Sequence, residues 1–187
     1  MKVHNLIDTI FCIEDILDLE RYPNLYEHVK EESNFNKSTR GGRKMCRMTD
    51  PGMKYTIYGK SFSKKNYTET VSRIRNEIEQ KLKFKKGYFN TCTLNYYPNG
   101  ASGFRNHTDY MPDLEDPMIV VTLTLGHSNR EMTIVNGNGQ GFNVKLPHNS
   151  LLVMGPHAQR KWMHGIPKEK GKKESRLSLS FRRQKIK

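Results

Sequence analysis

Apolar and polar positions follow a helical period before Gly87 and a two-residue period after it. Residues 5–31 carry the helical pattern in two pieces. The first places Ile10, Ile13, Ile16 and Leu17 on one face. The second has Pro23 in its first turn and Leu25, Tyr26 and Val29 as its apolar members. Residues 33–53 are rich in Ser, Asn, Gly and basic side chains and read as an exposed cationic loop. The clearest helix runs from about residue 67 to 84. Asn66 is its expected N-cap, with Glu69 three residues on in a capping-box arrangement. Val71, Ile74, Ile78 and Leu82 form its apolar stripe.

Beyond Gly87 the chain breaks into short runs separated by turn residues. YFNTCTLNYY precedes a Pro98-Asn99-Gly100 turn, and MIVVTLTLG is β-branched and apolar. MTIV leads into the Gly-rich NGNGQG, followed by FNVKL and SLLVMG. The last run, LSLSF, alternates strictly, with Leu177, Leu179 and Phe181 on one face. Many short strands with regular turns predict a sandwich, jelly roll or barrel. Helices first and strands afterwards predict helices packed on one side of that β core. The fold class expected is therefore α+β, mainly β. The expected division of this single domain is an N-terminal extension over 1–66, a support helix over 67–86 and a β core over 87–183.

A length of 187 residues suits one domain with a real core. No apolar run approaches a membrane span, and the apolar N-terminal stretch is broken by Asn5, Asp8 and Glu14 with no small-residue cleavage site after it. Three scattered cysteines, Cys12, Cys46 and Cys92, read as free thiols in a reducing compartment. An intracellular protein, cytoplasmic or nuclear and not secreted, is the expectation, and the sequons at Asn66 and Asn106 then carry no glycan. Lys and Arg number 32 against 19 acids, for a net charge of +13. That excess draws the chain toward polyanions, nucleic acid first and an anionic membrane surface second.

His107-Thr108-Asp109 puts a His and an Asp on one face of an extended segment, so both can meet one metal. Taken alone, His107 reads equally as a turn or core histidine. His164 follows the strand SLLVMG and supplies a second imidazole. Two His and one carboxylate leave iron positions open, as in non-haem Fe(II) oxygenases. Arg176 and Arg182 stand six apart in RLSLSFR and share a strand face. They are either two arginines on a solvent face or two inward guanidinium groups, which are costly unless they meet anions. A dicarboxylate such as 2-oxoglutarate would give each one a bidentate partner.

Together these residues resemble the AlkB family from about Asn95 to Arg182, and more loosely back to about Arg43. Asn95-Tyr96-Tyr97 resembles its Asn-x-Tyr, NHTD its iron-binding His-x-Asp, MGPHAQRKWMHGIP its distal-His region and RLSLSFR its terminal Arg-x5-Arg. TDPGMKYTIYG resembles the stretch that carries a lid over the base pocket. The resemblance implies a double-stranded β-helix (jelly-roll) core. It implies Fe(II) on His107, Asp109 and His164, with 2-oxoglutarate and O2 as cosubstrates. It implies that Arg176 and Tyr97 hold the distal carboxylate of 2-oxoglutarate, and that Arg182 and Asn95 contact the end that chelates iron. Tyr55 would contribute to the nucleobase pocket, bordered by His107. The implied activity is oxidative demethylation of alkylated DNA or RNA, with the base flipped out or single-stranded. Arg40, Arg43, Lys44 and Arg47, near the lid, read equally as phosphate contacts or as an ordinary solvated loop.

The chain departs from the family at three positions. Met111 stands where relatives often carry a carboxylate that can meet a cationic methylated base, with Asp113 and Glu115 nearby. Ser178 stands where several carry a longer amide that reaches the cosubstrate. Ile57 stands where a stacking aromatic is usual, and Tyr58 should point the other way on a strand. Competing readings are a 2-oxoglutarate-dependent hydroxylase of protein or lipid, and a non-enzymatic β-sandwich that binds RNA. A monomer is expected. Trp162 reads as a core packer. His4, His28, His127, His148 and His157 read as surface or turn residues.

Overall fold

The computed structural model describes residues 1–35, 37–39, 41–127 and 129–186, so Arg40 lies outside the described residues. Chain order gives β1 (Lys2–Ile7), β2 (Ile10–Glu14), α1 (Leu25–Ser33), β3 (Lys37–Ser38), β4 (Lys44–Thr49), β5 (Tyr55–Ile57), β6 (Lys60–Phe62), β7 (Lys65–Asn66) and α2 (Glu69–Lys81). There follow β8 (Thr91–Tyr97), β9 (Phe104–His107), β10 (Val120–Gly126), β11 (Glu131–Asn136), β12 (Gly141–Lys145), β13 (Ser150–Met154), α3 (Pro156–Lys161), β14 (Trp162–Ile166) and β15 (Arg176–Arg182). The main sheet runs β1-β2-β13-β10-β15-β8-β4-β3, with β7 parallel to β4. A smaller sheet runs β12-β11-β14-β9, and β5-β6 form a separate hairpin.

This is the expected jelly roll with helices on one side, and strand alternation builds its layers. On β15, Leu177, Leu179 and Phe181 join a core that also holds Val29 of α1 and Ile74 and Ile78 of α2. Leu94 of β8 and Leu123 of β10 reach the same layer. The opposite face of these strands meets the small sheet, where Tyr97, Leu152 and Ile10 pack with Met132, Ile134 and Ile166. Trp162 belongs to this inner core, and its indole donates to the Asp8 carboxylate at 3.0 Å.

Three local expectations are corrected. The first N-terminal helix is a β-hairpin: Ile7 pairs with Ile10 around Asp8, whose φ of 48° closes the turn. Ile10 and Cys12 face the inner core while Ile13 faces the helix layer. Burial on both faces leaves an apolar run whose three-residue spacing imitates a helix. The support helix is capped by Thr68, which accepts from Val71 N at 3.3 Å, and not by Asn66. Asn66 pairs with Thr49 in β7. The cationic loop expected over 33–53 contains β4, paired along its whole length with β8.

Candidate metal and cosubstrate site

β4, β8, β10 and β15 place Met45, Arg47, Thr93, Asn95, Tyr97, Thr122, Arg176, Ser178, Ser180 and Arg182 on one face. They line a cavity of about 270 Å³ with His107, Asp109 and His164. The period of two does this work. The residues between them (Cys46, Leu94, Leu123, Leu179) belong to the helix-side core or pack against it.

His107 ends β9 and His164 sits in β14 directly opposite it, with ring centroids 4.4 Å apart. Gly165 allows this approach, because a Cβ there would lie 2.8 Å from the backbone nitrogen of Asn106. One ligand atom from each of His107, Asp109 and His164 lies within 4.8 Å of the others. The His107 Nδ1 lies 3.0 Å from the Arg105 carbonyl, which can only accept, so Nδ1 carries the proton and the Nε2 lone pair is left for a ligand. Burial lowers the His164 imidazole to about 4, which keeps it neutral and able to ligate near neutral pH. Burial alone would raise the Asp109 carboxyl. Arg182, donating from Nη2 to both carboxylate oxygens at 2.8 Å, outweighs burial and holds it at about 2.

The two arginines of β15 differ. Arg182 is paired with Asp109 and also donates from Nη1 to Thr93 Oγ1 at 3.3 Å. Arg176 is 1% exposed, and no carboxylate pairs with it among the described residues. Its Nη2 donates to Thr124 Oγ1 at 3.0 Å, its Nε has no hydrogen-bond partner among the described residues, and burial lowers its pKa to about 10. The Tyr97 ring lies 5.5 Å from this guanidinium. Asn95, opposite Ser178 in register, accepts from Arg43 Nη1.

The β5-β6 hairpin contributes Tyr55, Ile57 and Tyr58 to the cavity lining. Tyr55 is buried and its hydroxyl lies 2.5 Å from Thr93 Oγ1, while Thr56 is held by the Gln184 side chain. Ile57 and Met111 both line the cavity. Tyr58 corrects the sequence expectation. The strand ends at Ile57, Tyr58 takes a φ of 48°, and its exposed ring joins the cavity lining with its hydroxyl donating to Tyr110 O at 3.2 Å. Asp113 does not line the cavity; its carboxylate accepts from Gly59 N at 3.1 and 3.2 Å.

The expected phosphate track divides. Arg43 is 8% exposed, with its guanidinium 3.4 Å from the Phe104 ring centroid, and lines the cavity. Arg47 packs on the hairpin, 4.8 Å from Phe62 and 5.5 Å from Tyr55. Lys44 is exposed and outside the cavity lining. Arg43 immediately precedes β4, which carries Lys44 and Arg47, and alternate side chains along this segment point inward.

Gln159 of α3 was invisible in the sequence. Its carbonyl accepts from Thr108 Oγ1 at 2.5 Å, and its side-chain Oε1 accepts from Asp109 N at 3.1 Å, so it fixes the His-Thr-Asp step. Arg130 was also missed. It is fully buried, donates to the Asn99 and Pro167 carbonyls, and lies 5.4 Å from the Tyr97 ring.

With this geometry, a sequence profile of the 2OG-Fe(II) oxygenase superfamily matches residues 13–182, and the chain belongs to that superfamily. Within it the chain is of the AlkB type. It is 24% identical over 150 residues to the DNA oxidative demethylase ALKBH2 of Mus musculus, covering 75% of this chain and 61% of that one. It is 29% identical over 118 residues to the alpha-ketoglutarate-dependent dioxygenase alkB homolog 3 of Bos taurus, covering 58% and 40%. The chain thus spans only part of these relatives' length. In fold it is similar to the structure of OsALKBH1, with a TM-score of 0.72 at 17% identity over 98% of this chain and 100% of that one. A Pseudomonas putida prolyl-4-hydroxylase gives 0.59 at 19% identity, over 95% and 94%. Fe(II), 2-oxoglutarate and O2 come with this membership. The residues fit them: a converging His-Asp-His set for the metal, and a buried, unpaired guanidinium for a carboxylate. Among the described residues no helix is long and apolar enough to cross a membrane.

Proposed function

We propose that the protein is an Fe(II)- and 2-oxoglutarate-dependent dioxygenase that removes N-methyl groups from bases of DNA or RNA. The observation that carries the reading is one cavity holding both the His107, Asp109 and His164 cluster and the carboxylate-free guanidinium of Arg176. His107, Asp109 and His164 hold the metal. Arg176 and Tyr97 take the distal carboxylate of 2-oxoglutarate. Arg182 keeps Asp109 ionised and oriented, and with Asn95 borders the chelating end. Ser178, short and on the same face, leaves room for the cosubstrate chain.

When bound, the cofactors supply oxidation of a methyl C–H bond. With them held there, one oxygen atom of O2 would end in the hydroxylated methyl group and the other in succinate, with CO2 released from 2-oxoglutarate. The resulting N–CH2–OH group breaks at its C–N bond, the nitrogen regains a proton and formaldehyde leaves. Tyr55, Ile57, Tyr58 and Met111 form the mouth through which a flipped or single-stranded base enters, and they keep water from the methyl group. The net charge of +13 supports a polyanionic substrate.

Mass spectrometry of an oligonucleotide carrying one N-methyl base tests this. Incubation with Fe(II), 2-oxoglutarate and O2 is expected to lower its mass by one CH2 unit. An unchanged mass, together with turnover stimulated by a protein or lipid instead, would assign the hydroxylase reading.

A further inference from the structure

The cavity carries an imbalance of charge that limits which base it can take. Asp109 is the one acidic side chain among its lining residues, against four arginines: Arg43, Arg47, Arg176 and Arg182. Iron and 2-oxoglutarate bring opposite charges of equal size and leave this excess untouched. Arg182 is answered by Asp109, and on the function proposed above Arg176 is answered by the distal carboxylate.

Arg43 and Arg47 remain. Neither is in an ion pair among the described residues. Arg43 is stacked on Phe104, is largely buried and donates from Nη1 to the neutral Asn95 amide, which leaves its charge uncompensated. Arg47 lies against Tyr55 and Phe62, and its Nε is buried without a hydrogen-bond partner among the described residues. Among the described residues that line it, the hairpin side of the cavity offers no negative charge in compensation. There Ile57 packs against Met111, Leu114 and Met118, and the Asp113 carboxylate is turned to Gly59 N.

Guanidinium N–H groups need acceptors, and a cation beside them in a partly desolvated cavity is repelled. We propose that this site, resting on the dealkylation reading, takes N-methyl bases that are neutral and present a ring carbonyl. These are methylated oxopurines and oxopyrimidines of the guanine, uracil or thymine kind. Bases that methylation turns into cations are disfavoured. Arg43 and Arg47 set this preference by donating toward carbonyl oxygens, and Met111 sets it by withholding a carboxylate.

The test uses the full chain and single-stranded oligonucleotides identical except for one base: 1-methylguanine or 3-methylthymine against 1-methyladenine or 3-methylcytosine. Two readouts are taken, fluorescence anisotropy of metal-free protein and formaldehyde release after Fe(II) loading. The neutral bases are expected to be favoured by about tenfold or more in both, the size that like charges several ångströms apart impose at an intermediate dielectric. Met111→Asp is expected to move the preference toward the cationic bases, and Arg47→Gln to narrow it without adding a charge. Wild-type preference for the cationic bases would overturn this inference and leave nucleic-acid dealkylation standing. Succinate formation that no methylated oligonucleotide stimulates would overturn the dealkylation reading, and this inference with it.

Discussion

Arg176 and Arg182 occupy one face of one strand, six residues apart, yet among the described residues only Arg182 has a carboxylate partner. The difference makes separate predictions. Arg176→Ala is expected to raise the KM for 2-oxoglutarate by about ten- to a hundredfold, since a charge-assisted hydrogen bond contributes roughly 1.5–3 kcal/mol. Initial rates across a cosubstrate titration check this, and an unchanged KM would move the cosubstrate elsewhere. Gln159→Leu removes the acceptor that holds Asp109 N while keeping similar volume. It is expected to weaken Fe(II) affinity about ten- to a hundredfold, as outer partners of metal ligands do. Isothermal titration under anaerobic conditions would read it, and wild-type affinity would leave Gln159 a packing residue. The sequence carried the ligands and the arginine pair because spacing alone puts them on shared faces. It held no sign of Gln159, because nothing local marks which turn of α3 faces the His-Thr-Asp step.

Among the elements, the strands after Gly87 were legible because each shows one apolar face and turn residues at its ends. The elements that were misread have apolar or basic side chains on the unexpected face. β2 is buried on both sides, and β4 turns Met45 and Arg47 into the cavity in place of an aliphatic row. The support helix α2 was read nearly whole from its stripe, but its tether to the N-terminal segment was not. Glu77 accepts from Asp18 N, from the Tyr22 hydroxyl and from Lys81 Nζ, each at 2.9 Å. Burial alone would raise this carboxyl, and these donors outweigh burial and hold it below its ordinary value of 4.5. A depressed folded-state value means the contribution is complete above 4.5 and is lost as pH falls through the lower value. Glu77→Gln is therefore expected to cost about 1.5–3 kcal/mol near neutral pH and to flatten the acid limb of stability. Urea midpoints measured from pH 7 down to pH 3 check the sign, and parallel curves for the two proteins would remove Glu77 from the acid response.

For the molecule as a whole, the net charge of +13 favours an anionic partner on the proposed function, but does not say where it would meet the surface. Arg43 is buried and lines the cavity. On the proposed function, exposed Arg105, beside His107, and exposed Arg160, whose guanidinium lies 5.6 Å from the Tyr110 ring, would be the residues that meet phosphates. Replacing both with Ala is expected to reduce the slope of log affinity against log salt for single-stranded DNA by about 0.7 for each phosphate that the protein no longer neutralises. An unchanged slope would place the backbone elsewhere. The charge, the lined cavity and the superfamily match support one proposal, that of a working oxygenase site. Its most direct measurement is O2-dependent succinate formation from 2-oxoglutarate by Fe(II)-loaded protein, with formaldehyde quantified beside a methylated oligonucleotide and with His164→Ala as the control. Succinate and formaldehyde in equal amounts, abolished in the variant, is the expected result. Folded, Fe(II)-loaded protein that consumes no 2-oxoglutarate, or a His164→Ala variant as active as wild type, would contradict it.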